Sequence, residues 1–352
     1  MHRDPVSGVS AASPEDAPAV RQFLADVFRT GEDAPSLAAA LMHWKYYEPH
    51  PDWPHSRAFI LRKNGRIAAH VGIVPTTWLT PDSRVTCVVP IDWAADPLVP
   101  GAGAVLHRKL GGLAETVVQI GGTVQARKMA GLLGLKPCAS LDYYVRVVRP
   151  WRQHRLRPGH DWKSPARLAR NAVWSLAGLA NVPRGWSAEP VSAFDDSMLP
   201  ALAPNLLAAF TPPARSAALL NYMLRCPAAQ FQGFRLLDGG KPRGFFLLSS
   251  VGPQTRIADL LVNTAEAAAW TAAYALAVRA AQERAETCEI AALASTPATR
   301  QALSANGFRA RGCDPAWVSD PNQLLDTGTP LHVTMLEWDG SYLYNPENPF
   351  LS

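Results

Sequence analysis

One stretch of this 352-residue chain has residue types and spacing suited to holding an anion. Trp93-Ala94-Ala95 closes an apolar run, Asp96 to Pro100 turns, and Gly101-Ala102-Gly103-Ala104-Val105-Leu106 opens an amphipathic stretch. A strand that turns through glycines into a helix start leaves backbone N–H groups unpaired, and the helix dipole favours negative charge there. Glycines at 101 and 103 let a phosphate approach without a Cβ in the way. The loop is not a dinucleotide fingerprint, because Leu106 stands where a third glycine is needed. It lacks the Gly-Lys-Ser/Thr of a Walker loop as well.

Just before the loop lies Asp92, a carboxylate able to take a proton from an attacking amine. Strict alternation puts it on the face opposite Trp93, so its aim depends on a bulge in the strand. The competing reading is a strand acid bonded to a neighbouring backbone group or basic side chain. A second cluster runs from Met42 to His55 and holds Trp44, Tyr46, Tyr47 and Glu48 among three histidines. Its aromatics could stack on a ring or sugar while Glu48 receives an amine; alternatively they anchor a loop on the core. His70 reads as a core or edge residue rather than a base. The five cysteines are scattered without a Cys-x-x-Cys pair, and the nine histidines show no ligand spacing, so no metal and no disulfide framework is expected.

The elements that must position these groups occur twice. In the first half, Ala58 to Arg62 and Ile67 to Val74 flank the turn Lys63-Asn64-Gly65-Arg66; in the second, Gly233 to Leu237 and Gly244 to Leu248 flank Asp238-Gly239-Gly240-Lys241. Such turns between apolar runs signal β-hairpins. Each half later closes a helix on glycine, at Gly134-Leu135 and Gly307-Phe308. Turn to closing glycine spans 69 residues in the first half (65 to 134) and 67 in the second (240 to 307). In the first half the spacing predicts a central strand from Arg84 to Ala95 and a helix from Ala104 to Thr116. A strand from Thr116 to Ile120, a helix from Val124 to Leu133 and a strand from Tyr143 to Val148 follow. The counterparts are Thr255 to Val262, Ala265 to Ala285, Cys288 to Ala294, Pro297 to Ala305 and Leu331 to Trp338. The fold class is α/β (α+β): two modules, residues 1–150 and 186–352, each a mixed, mostly antiparallel twisted sheet flanked by helices.

Between them, residues 151–185 form a basic linker. From 151 to 182, Arg152, Arg155, Arg157, Lys163, Arg167 and Arg170 face one acid, Asp161, so the segment carries the +5 net charge of the whole chain. A helix from Ser164 to Leu179 is expected to pack Leu168, Val173, Trp174 and Leu176 between the modules. The other reading is peripheral contact of 151–182 with an anionic membrane. No run reaches the roughly 18 apolar residues of a span, and Met1 to Asp16 has no apolar signal core, so a cytoplasmic location is expected.

At the loop the sequence resembles the GNAT superfamily of N-acetyltransferases. Leu98-Val99-Pro100-Gly101-Ala102-Gly103 matches the glycine half of the family's Gln/Arg-x-x-Gly-x-Gly/Ala pattern, and Gly307-Phe308 matches its helix-closing pair. The resemblance implies acetyl-coenzyme A as donor, its pantetheine on the backbone of Trp93, Ala94 and Ala95. Its pyrophosphate would lie on the amides of Gly101, Ala102, Gly103, Ala104 and Val105, with Thr123 at the position of a family asparagine. It implies Asp92 as base and an amine acceptor, a small molecule or glycan precursor, bordered by Trp44, Tyr46, Tyr47 and Glu48. The departures are Leu98 in place of the basic or amide residue, Thr123 and Thr296 in place of the asparagine, and Ala130 and Leu303 in place of a tyrosine acid. The second half has no glycine loop, and Asn263 or Thr264 is expected to cap its helix instead. Two rivals stand beside an N-acyltransferase. One is a Fem-type aminoacyl-tRNA-dependent transferase, which the basic linker suits but the glycine loop does not, nucleic acid being an unexpected partner. The other is a non-catalytic GNAT-fold binding protein.

Overall fold

A computed structural model describes residues 8–159, 161–325 and 328–352. In the first half β1 (Val9–Ala11) precedes helices α1 (Ala17–Phe28) and α2 (Ala39–Met42), and a π-helical turn covers His43–Tyr47. Strands β2 (Ala58–Lys63), β3 (Arg66–Leu79) and β4 (Arg84–Ala95) form an antiparallel meander. Helix α3 (Ala102–Leu110), strand β5 (Thr116–Ile120), helix α4 (Val124–Leu132) and strand β6 (Lys136–Val147) follow. Helices α5 (Pro150–Leu156) and α6 (Ser164–Ser175) make the linker. The second half repeats the plan with β7 (Trp186–Val191), α7 (Pro204–Ala209), α8 (Ala217–Leu224), β8 (Gln230–Asp238), β9 (Lys241–Val251) and β10 (Gln254–Val262). It ends with α9 (Ala267–Glu283), β11 (Glu289–Ala294), α10 (Pro297–Ala305) and β12 (Arg309–Ser319). Both hairpin turns have the left-handed central residues that their sequences demand: Asn64 and Gly65 at φ 52° and 77°, Gly239 and Gly240 at 58° and 79°.

The two mixed sheets join edge to edge into one of twelve strands, in the order β1-β2-β3-β4-β5-β12-β6-β11-β10-β9-β8-β7. Among the strands of the described residues, only β4 with β5 and β10 with β11 run parallel. At the junction the halves exchange their last strands. β12 lies antiparallel to β5, and β6 lies antiparallel to β11. The halves that the sequence divides at 150 and 186 therefore each supply the strand that continues the other's sheet.

This exchange accounts for the main departure from the sequence reading. The closing strand of the second half is Arg309–Ser319, not Leu331 to Trp338, which is a coil with a 3-10 turn at Met335–Glu337. Alternating Leu331, Val333 and Met335 are buried by packing, and the segment makes only one isolated bridge, Leu331 to Thr211, among the described residues. The charged, glycine- and proline-bearing β12 is held by neighbours on both sides, with register shifts after Ala310 and Ala316. For the same reason β6 starts at Lys136 rather than Tyr143. Helix α3 stops at Leu110 because Gly111 and Gly112 follow.

The linker departs from expectation at Val173 and Leu176, whereas Leu168 and Trp174 are half-buried. Gln153 of α5 donates to Glu289 Oε2 (2.9 Å) and Ser352 Oγ (2.7 Å), and Asn171 of α6 donates to Gln153 Oε1 (2.8 Å). Polar side chains point inward and satisfy one another, while Val173 and Leu176 are exposed rather than wedged between the halves. Among the described residues no helix is long and apolar enough to cross a membrane.

Candidate functional site

The central strand opens a cleft in the first half. β4 pairs with β5 only at Cys87–Thr116 and Val88–Val117. Beyond Val88, β4 runs on to Ala95 along β3, whereas β5 turns its remaining length to β12. The backbone of β4 from Val89 to Ala95 therefore has an edge without a strand partner, facing a gap that widens toward the glycine loop.

That gap ends on the start of α3. Gly101 is the helix cap, at φ 83°, with nothing within 4 Å of where a Cβ would sit. Ala102 N–H donates to Val99 O (3.2 Å) and Val105 N–H to Gly101 O (3.0 Å). The amides of Gly103 and Ala104 make no backbone hydrogen bond, and Gly101 has no side chain to cap them. Of the amides from 101 to 105, these two and that of Gly101 make no hydrogen bond and are open to an anion. Trp93 braces the loop, its Nε1 donating to Gly103 O (3.1 Å) and its ring lying 5.1 Å from that of His107. Ala94 is buried beside α1, and Ala95 meets Gly103. Leu98, where the family pattern has a basic or amide residue, is 85% exposed.

Across the gap, β5 presents Gln119. It is buried, yet neither side-chain amide atom has a hydrogen-bond partner. Alternation puts it on the face of Val117, which packs with Ala102 and Leu106 of α3. Gly121 and Gly122 follow with φ 58° and 91°, and Thr123 caps α4 by accepting from Ala126 N–H (3.2 Å). Thr296 caps α10 in the same way, so both threonines use their side-chain oxygen on the helix. Ala130 and Leu303 are fully buried. Sequence reasoning missed Gln119; a lone glutamine in an otherwise apolar strand was the signal available.

Asp92 sits on a bulge of β4: Ile91 faces Gly72 and Ala94 faces His70, so Asp92 and Trp93 together oppose Val71. Its φ of 46° is left-handed. The carboxylate accepts from Lys45 Nζ and from Tyr46 OH, each at 2.6 Å, and its backbone carbonyl lies 3.1 Å from His70 Nδ1. Gly72 makes room for this, since a Cβ there would stand 2.5 Å from the Tyr46 ring. Burial alone would raise the Asp92 pKa, but Lys45 and the two hydrogen bonds hold it below its ordinary value. Burial pushes the Tyr46 hydroxyl well above its usual range, and burial lowers His70 to about 4. Asp339, which the sequence reading also missed, feels both Asp92 and Lys45. Burial and then the Asp92 charge push it up to about 7. Asp92 is thus the ionised member of a group that holds a further proton near neutrality.

The aromatic segment falls apart into separate roles. Trp44 is buried between the halves, stacked on Tyr222 at 4.7 Å and edge-on to Tyr342 at 5.3 Å. Tyr46 is buried against Asp92. Both rings pack in the core, and Trp44 lines only a cavity of about 30 Å³ beside Lys45 and Tyr222. Tyr47 is half-buried with its hydroxyl enclosed and unpartnered, and Glu48 pairs with Arg225 at 3.1 Å.

In the second half β10 bulges at Ala258, and Asp259 directly after it is paired with Arg215 at 2.6 Å; Arg215 also holds Glu337. All three are buried. The helix-capping residue there is Glu266, not Asn263 or Thr264. The Thr264 hydroxyl accepts from Glu266 N–H (3.4 Å), and its carbonyl accepts from Trp270 Nε1 (2.8 Å). The tryptophan thus closes the ground that a glycine loop leaves open in the first half. Among the described residues no group of three or more His, Cys, Asp or Glu side chains could hold a metal.

No family model matches the sequence, and no curated protein matches it significantly. Solved structures do match in fold. A GCN5-related N-acetyltransferase from Anabaena variabilis superposes with a TM-score of 0.56 at 13% identity, over 88% of this chain and 71% of that one. A putative acetyltransferase from Pyrococcus horikoshii gives 0.55 at 10% identity, over 96% and 99%. A tandem GNAT protein from the clavulanic acid biosynthesis pathway gives 0.53 at 13% identity, over 88% and 97%. With two copies of the plan, each with a splayed parallel pair at its centre, the chain has the tandem fold of the GCN5-related N-acetyltransferases.

Proposed function

We propose that the chain is an N-acyltransferase that takes an acetyl group from acetyl-coenzyme A, held by its first half, and passes it to an amine. The observation that carries this reading is the splay of β4 from β5, ending on the open amides of Gly103 and Ala104. The residues present fit the donor: a Cβ-free loop for the pyrophosphate, and an unpaired β4 edge at Trp93, Ala94 and Ala95 for the pantetheine amides. The unpartnered Gln119 amide lies on the neighbouring strand β5. When bound, acetyl-coenzyme A supplies the activated thioester. A backbone N–H at the β4 bulge polarises its carbonyl.

The acceptor amine must lose a proton to attack. Asp92, Lys45 and Asp339 form the proton-holding group at the bulge, and Asp339 has the pKa near 7 that suits a proton acceptor. The acceptor lies where the halves meet, in a cleft of about 450 Å³ whose walls include Asp52 and Arg84 from the first half and Asp196 and Ser216 from the second. Its two carboxylates suit an ammonium group on a small molecule or glycan precursor. Arg215 lines both this cleft and a cavity of about 30 Å³ that reaches Lys45. Free-thiol release over a panel of amines tests the reading. Release that requires an acceptor and disappears in Gly103→Glu supports it. Binding of acetyl-coenzyme A without release on any amine makes the chain a binding protein instead.

A further inference from the structure

Helices α5 and α6 are inverted. Their inward residues are polar: Gln153, Ser164 and Asn171 are buried, joined to one another or to neighbouring polar groups. Their outward residues are apolar. On the side of α6 opposite Asn171 lie Ala169, Val173 and, at the helix end, Leu176, and Trp162 stands in the turn that leads into the helix. Trp162, Val173 and Leu176 are exposed to 85%, 68% and 82%. On α5, Trp151 (66%) and Leu156 also face outward. A water-facing helix normally carries the reverse arrangement. Of the ten large apolar side chains exposed among the described residues, five lie between Trp151 and Leu176.

The charges around these apolar side chains identify what covers them. Lys163, Arg167 and Arg170 line one flank of α6, and Arg152 and Arg155 stand beside Trp151 and Leu156 on α5. Arg167 is paired with Asp161, the one acid of the segment, which leaves the hairpin strongly positive. Two-fold pairing with a second copy would set these basic rows against each other. Tryptophans and aliphatic side chains flanked by arginine and lysine match a lipid interface, where the apolar face enters the acyl boundary and the cations meet headgroups. We propose that the α5–α6 hairpin docks the protein on the surface of an anionic lipid bilayer. This goes beyond acyl transfer and does not depend on it.

Flotation with vesicles tests the proposal on the full-length protein, using phosphatidylcholine alone and phosphatidylcholine mixed with phosphatidylglycerol. Wild type is expected to float with the mixed vesicles, and much less with phosphatidylcholine alone or at high salt. The triple substitution Trp162→Ser, Val173→Ser, Leu176→Ser is expected to reduce bound protein by about tenfold or more. Arg152→Glu with Arg155→Glu should reduce binding chiefly at low salt. These side chains are exposed, so matching thermal melts of wild type and variants establish that the fold is unchanged. Absence of wild-type binding at low salt overturns the proposal, as does equal binding by the triple variant. Self-association in sedimentation velocity that the triple variant abolishes, without vesicle binding, assigns the face to a second copy and overturns it too.

Discussion

Asp92 and Asp259 stand at the same point of the two halves, each three residues before the end of its central strand, Ala95 in one and Val262 in the other. Asp92 lies on a bulge and Asp259 directly follows one, and each is ion-paired at 2.6 Å with a buried cation from the segment before the hairpin, Lys45 or Arg215. The surroundings separate their roles. Arg215 is shared with Glu337 and fully enclosed, whereas the Lys45 pair has Asp339 beside it and a partly exposed Asp92.

Removing either cation strands a buried carboxylate. Lys45→Met and Arg215→Met are each expected to destabilise the fold by about 3–5 kcal/mol, read as a lowered midpoint in urea unfolding. On the proposed function, only Lys45→Met alters the pH dependence of the protein that stays folded. Equal effects of both on turnover would assign no special role to the first pair.

Asp339→Asn tests the proton near neutrality. If Asp339 accepts the amine proton, the wild-type rate rises with pH through about 7, and the asparagine variant loses that limb. A rate profile unchanged by the substitution removes Asp339 from the chemistry.

His70, His107 and His332 are buried and lowered to about 4, chiefly by burial. Below the unfolded value of about 6.5 the unfolded chain binds more protons, so stability falls as pH drops from about 6.5 toward 4. The loss by pH 5 is up to about 2 kcal/mol for each histidine. Thermal melts from pH 8 to 5 should show the decline, and His332→Gln should flatten it.

The strand exchange predicts that the first half is not self-sufficient. Residues 1–185 alone lack β12, which lies between β5 and β6 in the sheet. Both strands then present bare edges. Expression of this fragment is expected to give no cooperatively folding monomer; a sharp monomeric melt would contradict the exchange.

Much of each half was legible because it is local. The hairpin turns follow from left-handed positions at Asn64-Gly65 and Gly239-Gly240, and Pro297–Ala305 is bounded by a threonine cap and a proline. The glycine loop was readable for the same reason. What escaped was long-range. Nothing near Arg309–Ser319 says that it lies between β5 and β6, where neighbours on both sides outweigh its weak pattern. Trp44 and Tyr46 were readable as aromatic, but the partners that bury them, Tyr222 and Asp92, come from distant elements. Asp339 enters the Asp92 group from the far end of the chain, with no spacing to mark it. The linker helix was recognised, and its inversion was not, because amphipathicity fixes two faces without saying which one is covered.

Leu98→Arg would supply the cation that the loop lacks. At this exposed position it should tighten acetyl-coenzyme A binding by about two- to fivefold at low salt, with the gain fading at high salt.

Titration calorimetry with acetyl-coenzyme A tests the central claim most directly, run on wild type and Gly103→Glu. A Cβ at position 103 would lie 3.3 Å from Trp93 Nε1, so unchanged melting must accompany the comparison. The account predicts one site on wild type and affinity weakened by about tenfold or more in the variant, whose carboxylate meets the open amides. No heat of binding on wild type, or equal affinity in a folded Gly103→Glu, would contradict it.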